Sequence, residues 1–422
     1  MMGIFLLGTM LVLILFGVPI AFSIGLAGGI FLEVTDMRPL ILLPQRLLVG
    51  ANSYALLAVP LFTFSGYLME AGGLSQRLVQ WVEKVFGWFP GSMGTIALLC
   101  CTIFAALTGS GPATVAAIGA IMYPAMISGG YPRHTAAGLL AAGGSLGPII
   151  PPSIAMIVYG STMSLSIPNM FIGAVVPGII LAGLFIVVNT LIAFKIKLRP
   201  ERKFFTAREL LDSTLGALGM LFLPVIVLGG IYGGMFTPTE AAAVCVAYTL
   251  LLGVLYKELS LASTLSALRR TVRTSAMVML IVGMSGIFGW ILASAKIPSQ
   301  IAQAVIPYLS SQGMYMLILM LVLFFVGCIM ETLASIVILA PILVPIGLEM
   351  GIHPLHLGVV FCINLVIGFI TPPFGMNLFT ATSVTGLPFT QVVKGTLPFL
   401  AVAVAAVFLF AFVPGTVLFF FQ

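Results

Sequence analysis

Two short stretches decide the fold: GPIIPP at residues 147–152 and GFITPP at residues 368–373. Each interrupts a long apolar segment with a glycine and a pair of prolines, and the two proline pairs are 221 residues apart (372 − 151 = 221). A helix that breaks inside lipid frees backbone N–H and C=O groups, which is tolerated only where the break is buried in protein or lines a watery cavity. The two stretches are therefore candidate binding sites within a membrane.

The composition around these breaks excludes an ordinary soluble protein. Of the 422 residues, 61% are hydrophobic and 7% are charged, whereas soluble domains carry about 25% charged residues. A helix needs about 20 apolar residues to cross the hydrocarbon core, so the chain has room for roughly 10 to 14 crossings. We expect an all-α polytopic membrane protein.

The offset between the two breaks extends to other residues and indicates an internal repeat. The same shift of 221 relates Pro124 to Pro345, Gly130 to Gly351 and Pro177 to Pro398. We expect a first repeat at residues 1–194, with a hairpin near 95–128 and a broken helix near 135–165. The second repeat is expected at residues 215–422, with a hairpin near 314–349 and a broken helix near 355–385. Paired interruptions in two halves are typical of secondary transporters.

Basic residues predict the orientation of the chain. Lysines and arginines cluster in the stretch 195–214, which we interpret as a cytoplasmic linker, and again at residues 257–273. Arg38 and Arg46 follow the first apolar segment, so the same tendency predicts a cytoplasmic loop there too. Two amphipathic segments, near 74–90 and 258–273, are interpreted either as struts along the membrane interface or as plain connecting helices.

Small oxygen-bearing groups surround both breaks and predict a cation site. A half-helix that ends inside the membrane offers unpaired carbonyls, which suit Na⁺. Hydroxyl side chains lie nearby in the sequence: Thr108, Ser110 and Ser153 in the first half, and Thr332, Thr371 and Thr380 in the second. Sodium coupling follows as a hypothesis. The alternative is that glycine and proline simply permit close packing of membrane helices.

Few polar groups other than hydroxyls lie in the apolar runs. Glu331 is interpreted either as a cation ligand or as a support for its loop, and Glu240 as part of a helix start after Pro238. Asn377 either binds substrate or joins two helices. The five cysteines show no spacing typical of a zinc site.

Four runs resemble the large membrane subunit of tripartite ATP-independent periplasmic (TRAP) transporters. They are TGSGPATVAAIG (108–119), GPIIPPS (147–153), FTPTEAAA (236–243) and GFITPPFGMN (368–377). The resemblance implies two inverted repeats with re-entrant helical hairpins, arranged as a scaffold and a moving transport domain of the elevator type. It also implies import of an organic acid, such as a C4-dicarboxylate or sialic acid, driven by two or more sodium ions across the bacterial inner membrane.

The same resemblance implies partners and site residues. The partners are a small four-helix membrane subunit and a periplasmic substrate-binding protein. The substrate is expected near Ser110, Ser153 and Asn377. One sodium is expected among Thr108, Ser110, Gly147 and Pro151, and a second among Thr332, Gly368, Thr371 and Met376.

Three other functions remain as alternatives to this prediction. A stand-alone sodium or proton symporter of related fold is the first, and a channel is the second. A membrane enzyme is the third, although no cluster of His, Cys or carboxylates at catalytic spacing lies in the apolar runs. ATP-driven transport is not expected, because the sequence has no glycine loop ending in Gly-Lys-Ser or Gly-Lys-Thr.

Overall fold

The protein is helical throughout the part of the chain that the computed structural model describes, residues 2–36, 39–88, 91–198 and 207–421. Ten α-helices form the first half: α1 Met2–Leu15, α2 Ile20–Thr35, α3 Leu42–Ala51, α4 Ala58–Ala71, α5 Leu74–Phe86, α6 Ser92–Thr108, α7 Gly111–Ser128, α8 Arg133–Ser145, α9 Ile154–Met163 and α10 Ile167–Lys195. Nine form the second: α11 Ala207–Tyr232, α12 Pro238–Leu255, α13 Leu261–Ser294, α14 Ile297–Val305, α15 Gln312–Ile329, α16 Thr332–Glu349, α17 Pro354–Ile367, α18 Met376–Thr385 and α19 Phe389–Phe412. Within those ranges, nine helical segments are long and apolar enough to cross a membrane, and five further apolar helices are shorter. Nine is below the roughly 10 to 14 crossings for which the sequence has room.

Corresponding helices recur at the offset found in the sequence. Helix α7 begins at Gly111 and α16 at Thr332, 221 residues later, and both have 18 residues. Helices α8 and α17 also begin 221 residues apart, at Arg133 and Pro354. Each pair α6–α7 and α15–α16 forms a hairpin, which we call hairpin 1 and hairpin 2. The pairs α8–α9 and α17–α18 are the two broken helices, and the proline pairs lie in their gaps.

Local capping explains several of these helix ends. Thr237 and Glu240 form a capping box at the start of α12, in which the Glu240 carboxylate accepts a hydrogen bond from the Thr237 amide at 2.8 Å. The interpretation of Glu240 as part of a helix start is therefore confirmed. In the predicted linker, α10 ends at Lys195 and α11 begins at Ala207, while residues 199–206 lie outside the described residues.

Helix α13 is a long support for the helices around it. The sequence predicts either a strut or a connecting helix at 258–273, whereas α13 runs unbroken from Leu261 to Ser294 and so joins this segment to the apolar stretch that follows it. Helix α3 approaches it through two glycines: a Cβ on Gly50 would lie 2.9 Å from the Cα of Gly286. Near the start of α13, Arg270 forms an ion pair with Glu70 of α4 at 2.8 Å. Helices α3, α4, α12 and α13 pack together as one body, which we call the scaffold.

The structure places Arg46 and the basic cluster around Arg270 near opposite ends of α13. Arg46 lies on α3 and its guanidinium is 4.9 Å from the ring centroid of Trp290, near the end of α13. Trp290 is 20 residues after Arg270, which is about 30 Å along a helix and matches the thickness of the hydrocarbon core. If Arg270 and its basic neighbours face the cytoplasm, Arg46 faces the periplasm. The two groups of basic residues therefore do not both face the cytoplasm, and the side on which this loop lies stays a prediction, because two arginines are too few to fix it.

Candidate functional site

The tip of hairpin 1 contacts the first broken helix through backbone atoms. A Cβ on Gly147 would lie 2.9 Å from the carbonyl oxygen of Ser110, so only glycine permits this approach. A Cβ on Gly109, whose φ is +59°, would lie 2.8 Å from the carbonyl oxygen of Pro152. The fold thus brings the tip of hairpin 1 against the break that contains Gly147 and Pro151.

Side-chain hydroxyls surround that contact. The Thr108 hydroxyl lies 3.2 Å from the Thr114 hydroxyl, and the Thr114 hydroxyl donates to the Ser110 carbonyl at 2.8 Å. Thr108 also packs on the scaffold, since a Cβ on Gly66 of α4 would lie 2.9 Å from its methyl carbon. Of the first predicted sodium set, Thr108, Ser110 and Gly147 therefore lie close together. Pro151 is buried in the adjoining bend.

Hairpin 2 has a carboxylate at its tip. Glu331 precedes α16, and its side chain accepts a hydrogen bond from the Ala334 amide at 3.0 Å. It supports the loop as a helix cap, one of the two roles that the sequence left open. Beside it, the Thr332 hydroxyl is buried and has no hydrogen-bond partner among the described residues. A buried hydroxyl without a partner costs free energy unless a ligand satisfies it.

The second break differs in detail from the first. Gly368 packs against the backbone of Gly327 in α15 rather than against the hairpin tip. The Thr371 hydroxyl donates to the Ile367 carbonyl at 2.9 Å, which leaves its oxygen able to accept another contact. Met376 begins α18 and is exposed. The four predicted members of the second sodium set therefore lie on three separate elements.

Two predicted substrate residues make structural contacts, and one of them, Asn377, also has a buried carboxamide oxygen without a hydrogen-bond partner among the described residues. Ser153 is fully buried, bonds to the Pro148 carbonyl and caps α9 by accepting from the Met156 amide at 3.3 Å. Asn377 is also fully buried, and its amide nitrogen donates to the Ala141 carbonyl at 3.1 Å. Asn377 thereby joins α18 of the second half to α8 of the first.

The two hairpin tips enclose a cavity of about 130 Å³, which we call the hairpin-tip cavity. Ser110 and Pro112 line it from hairpin 1, and Glu331 and Thr332 line it from hairpin 2. Met376 also lines it, whereas Ser153 and Asn377 do not. The structure therefore brings residues of both halves to one small space, whose largely apolar wall carries the Ser110, Thr274 and Thr332 side chains and the Glu331 carboxylate.

Sequence reasoning missed the scaffold side of this cavity. Thr274, Met277 and Val278 of α13 form that wall. The Thr274 hydroxyl lies 3.2 Å from the Tyr67 hydroxyl of α4, so the wall carries a polar pair from the scaffold. The available signal was a lone threonine that follows a basic cluster at the start of an apolar run. The internal repeat does not identify Thr274, because this residue belongs to neither broken helix.

The chemistry of the site is that of neutral oxygens with one carboxylate. Across the described ranges, no group of three His, Cys, Asp or Glu residues is placed to hold a metal ion. Hydroxyls, backbone carbonyls and a single carboxylate suit a weakly held monovalent cation better than a transition metal.

Comparisons with known proteins identify the family. The profile described as "Tripartite ATP-independent periplasmic transporter, DctM component" matches residues 7–416. The chain is 38% identical to the C4-dicarboxylate TRAP transporter large permease protein DctM of Pseudomonas aeruginosa, over 93% of this chain and 92% of that protein. It is 34% identical to the sialic acid TRAP transporter large permease protein SiaM of Vibrio cholerae, over 93% of each.

One relative is longer than this chain. The isethionate TRAP transporter permease protein DctMQ of Oleidesulfovibrio alaskensis is 38% identical over 98% of this chain, which spans 66% of that protein. Among solved structures, the YdaH transporter of Alcanivorax borkumensis shares the fold, with a TM-score of 0.65 and 13% identity over 90% of this chain and 89% of that one. The chain therefore belongs to the DctM component family of TRAP transporters, as its sequence motifs indicate, and is a non-enzymatic transport subunit of the inner membrane.

Proposed function

We propose that this chain is the sodium-coupled membrane subunit that imports an organic acid by an elevator movement. A small four-helix membrane subunit and a periplasmic substrate-binding protein act with it. Membership in a tripartite transporter family supports the existence of partners. The observation that carries the proposal is the hairpin-tip cavity, where two hairpins and two broken helices meet.

Sodium coupling is supported by unpaired oxygens at these breaks. No amide among the described residues donates to the carbonyl of Gly147, a residue that packs against the tip of hairpin 1. The Thr332 hydroxyl is buried without a partner near the Glu331 carboxylate. Na⁺ is a hard cation that accepts such neutral and anionic oxygens. Its charge also offsets that of Glu331 when an anionic substrate enters the same cavity.

An elevator movement is supported by the way the hairpins meet the scaffold. The two halves, as inverted repeats, each contribute a hairpin and a broken helix to the transport domain. The wall of the hairpin-tip cavity at Thr274 to Val278 belongs to the scaffold, so substrate held by the hairpins would exchange that wall for another as they slide along α13.

The substrate class follows from the relatives. Those compared above are named for a C4-dicarboxylate, for sialic acid and for isethionate, all of which are organic acids. The hairpin-tip cavity, at about 130 Å³, accepts part of such a molecule while the hairpins stay closed. We therefore propose an organic acid as substrate.

Reconstituted uptake tests the proposal. Proteoliposomes that hold the chain with its membrane partner would receive the binding protein and radiolabelled acid under an inward sodium gradient. We expect uptake that stops when choline replaces sodium at a constant proton gradient. Uptake that is indifferent to this replacement would contradict sodium coupling, and uptake without any binding protein would favour a stand-alone symporter.

A further inference from the structure

A second cavity, of about 550 Å³, lies beside the later part of α13. We call it the outer cavity. Helix α3, the end of α9 and α16 complete its walls, and among the described residues it shares no lining residue with the hairpin-tip cavity. The outer cavity is therefore a separate space, and it is large enough for a small organic molecule.

Hydroxyl groups line the outer cavity. They belong to Ser53, Ser161, Thr162, Ser164 and Ser285. The Thr162 hydroxyl is buried and has no hydrogen-bond partner among the described residues. Because it has no accessible surface, the Thr162 hydroxyl does not face the cavity. The Ser53 and Ser161 hydroxyls lie 3.1 Å apart and Ser285 donates to the Val282 carbonyl. The donors left to the wall are one proton of the Ser53–Ser161 pair and the Ser164 hydroxyl, for which the described residues offer no partner.

Arg46 adjoins this cavity through Trp290, although it is not itself one of the lining residues. Trp290 lines it, and the Arg46 guanidinium carbon lies 4.9 Å from the centroid of the Trp290 ring. None of the described lining residues is Asp or Glu, and Arg46 has no ion pair within the described ranges. A guanidinium stacked on an aromatic ring keeps its N–H donors free to bind a carboxylate or sulfonate. The hairpin-tip cavity, by contrast, contains Glu331.

The outer cavity also lies where an incoming solute arrives first. It borders α13 from Val282 to Ala293, whereas the hairpin-tip cavity borders the same helix at Thr274 to Val278. Ser285 is 11 residues after Thr274, about 16 Å further along the helix. That direction leads away from the basic cluster at Arg270, which we place on the cytoplasmic side.

We propose that the outer cavity is a reception site, which binds the anionic head group of an organic acid at Arg46 before the acid reaches the hairpins. The acid contacts the guanidinium through its carboxylate or sulfonate and the serine hydroxyls through its remaining oxygens. Binding at this site needs no sodium, because the positive charge is supplied by Arg46. The inference rests on the proposed function only for the direction in which the acid travels.

Tryptophan fluorescence of the full chain in lipid nanodiscs tests the site. The choline salts of succinate, N-acetylneuraminate and isethionate are titrated without sodium, against choline chloride of equal ionic strength. We expect at least one acid to change the emission, and the Trp290→Phe variant to lose that change. Arg46→Gln should raise the midpoint of the titration by about 10-fold, and Arg46→Lys by less, because lysine keeps the charge but not the planar fork.

The matched control is Arg269→Gln, which removes an exposed arginine from the opposite end of the scaffold and should leave the midpoint unchanged. The reception site is overturned if no acid changes the Trp290 emission, if the change requires sodium, or if Arg46→Gln leaves the midpoint in place. Sodium-dependent uptake together with an unchanged Trp290 emission would overturn the reception site alone. Sodium-indifferent uptake together with an acid-dependent change in Trp290 emission would overturn only the proposed sodium coupling.

Discussion

At the scale of single residues, Thr332 offers a direct test of the ion site. Its hydroxyl is buried without a partner among the described residues, so the isosteric change Thr332→Val removes a proposed sodium ligand and no internal hydrogen bond. We expect the sodium concentration for half-maximal uptake to rise about 10-fold, which corresponds to about 1.4 kcal/mol. The melting temperature measured without sodium should be unchanged or slightly higher, because an unsatisfied polar group has been removed from the interior.

Thr332→Ser serves as the control for this change, since it keeps the hydroxyl and loses only a methyl group. Its sodium dependence should stay within about twofold of the parent protein. An unchanged sodium dependence in Thr332→Val would remove this residue from the ion site.

Asn377 is expected to act on stability rather than on substrate binding. Its amide donates to the Ala141 carbonyl at 3.1 Å within a fully buried contact between the two halves. Asn377→Ala removes this hydrogen bond between the halves, while the Ala141 carbonyl keeps its helical partner within α8, so we expect a loss of about 0.5–1.5 kcal/mol in the free energy of unfolding. Thermal unfolding in detergent measures this loss. A normal melting temperature with a strongly weakened apparent affinity for the acid would instead assign Asn377 to the substrate.

The sequence identifies which polar residues lie near a break but not where their side chains point. Ser110 and Ser153 look alike in the sequence, since each directly precedes a helix after a glycine- or proline-rich stretch. In the structure Ser110 lines the hairpin-tip cavity, whereas Ser153 turns back to cap its own helix. The side chains of successive helical residues point about 100° apart. An error of one residue in a predicted helix start therefore changes which side chains are predicted to face a cavity.

At the scale of elements, the contact between hairpin 1 and the first broken helix can be tested by a single substitution. Gly147→Ala places a Cβ 2.9 Å from the Ser110 carbonyl, and backbone on both sides must shift to accept it. We expect uptake to fall by about 10-fold or more, because small displacements of binding groups are costly. Membrane insertion should persist. Transport assays with matched expression levels measure the effect.

Gly183→Ala is the matched control for this substitution. Gly183 lies within α10, where a new Cβ would meet nothing within 4 Å. Alanine there should leave uptake intact and stabilise the helix by about 0.5–1 kcal/mol. If both variants transport normally, the close approach at Gly147 has no functional role.

Glycine and proline made most helix boundaries predictable. The gaps at Gly147–Pro152 and Gly368–Pro373 fix both broken helices, since each combines a glycine with two consecutive prolines. Single prolines such as Pro124 and Pro177 lie inside helices and end none. Helix α13 could not be predicted in the same way. Its basic start and apolar remainder look like two segments, but no proline separates them, so the chain continues as one helix of 34 residues.

At the scale of the whole molecule, α13 is long enough to border two separate cavities. The hairpin-tip cavity borders its early part and the outer cavity its later part. The sequence could supply the repeat and the family resemblance. It could not supply this arrangement, because Arg46, Ser53 and Ser161 come together with α13 only through long-range packing.

A pair of engineered disulfides tests the elevator movement. Ser53, in the scaffold just before α4, has its hydroxyl 3.1 Å from the hydroxyl of Ser161 on α9. If α9 travels with the hairpins, this contact must break in every cycle, so Ser53→Cys with Ser161→Cys should stop uptake on oxidation and recover with dithiothreitol. The control joins two scaffold helices: Ser65→Cys can pair with the native Cys245, since their side-chain oxygen and sulfur lie 2.9 Å apart. That cross-link should leave uptake intact. Full uptake by the oxidised Ser53–Ser161 pair, with cross-linking verified by mass spectrometry, would show that α9 and the scaffold need not separate.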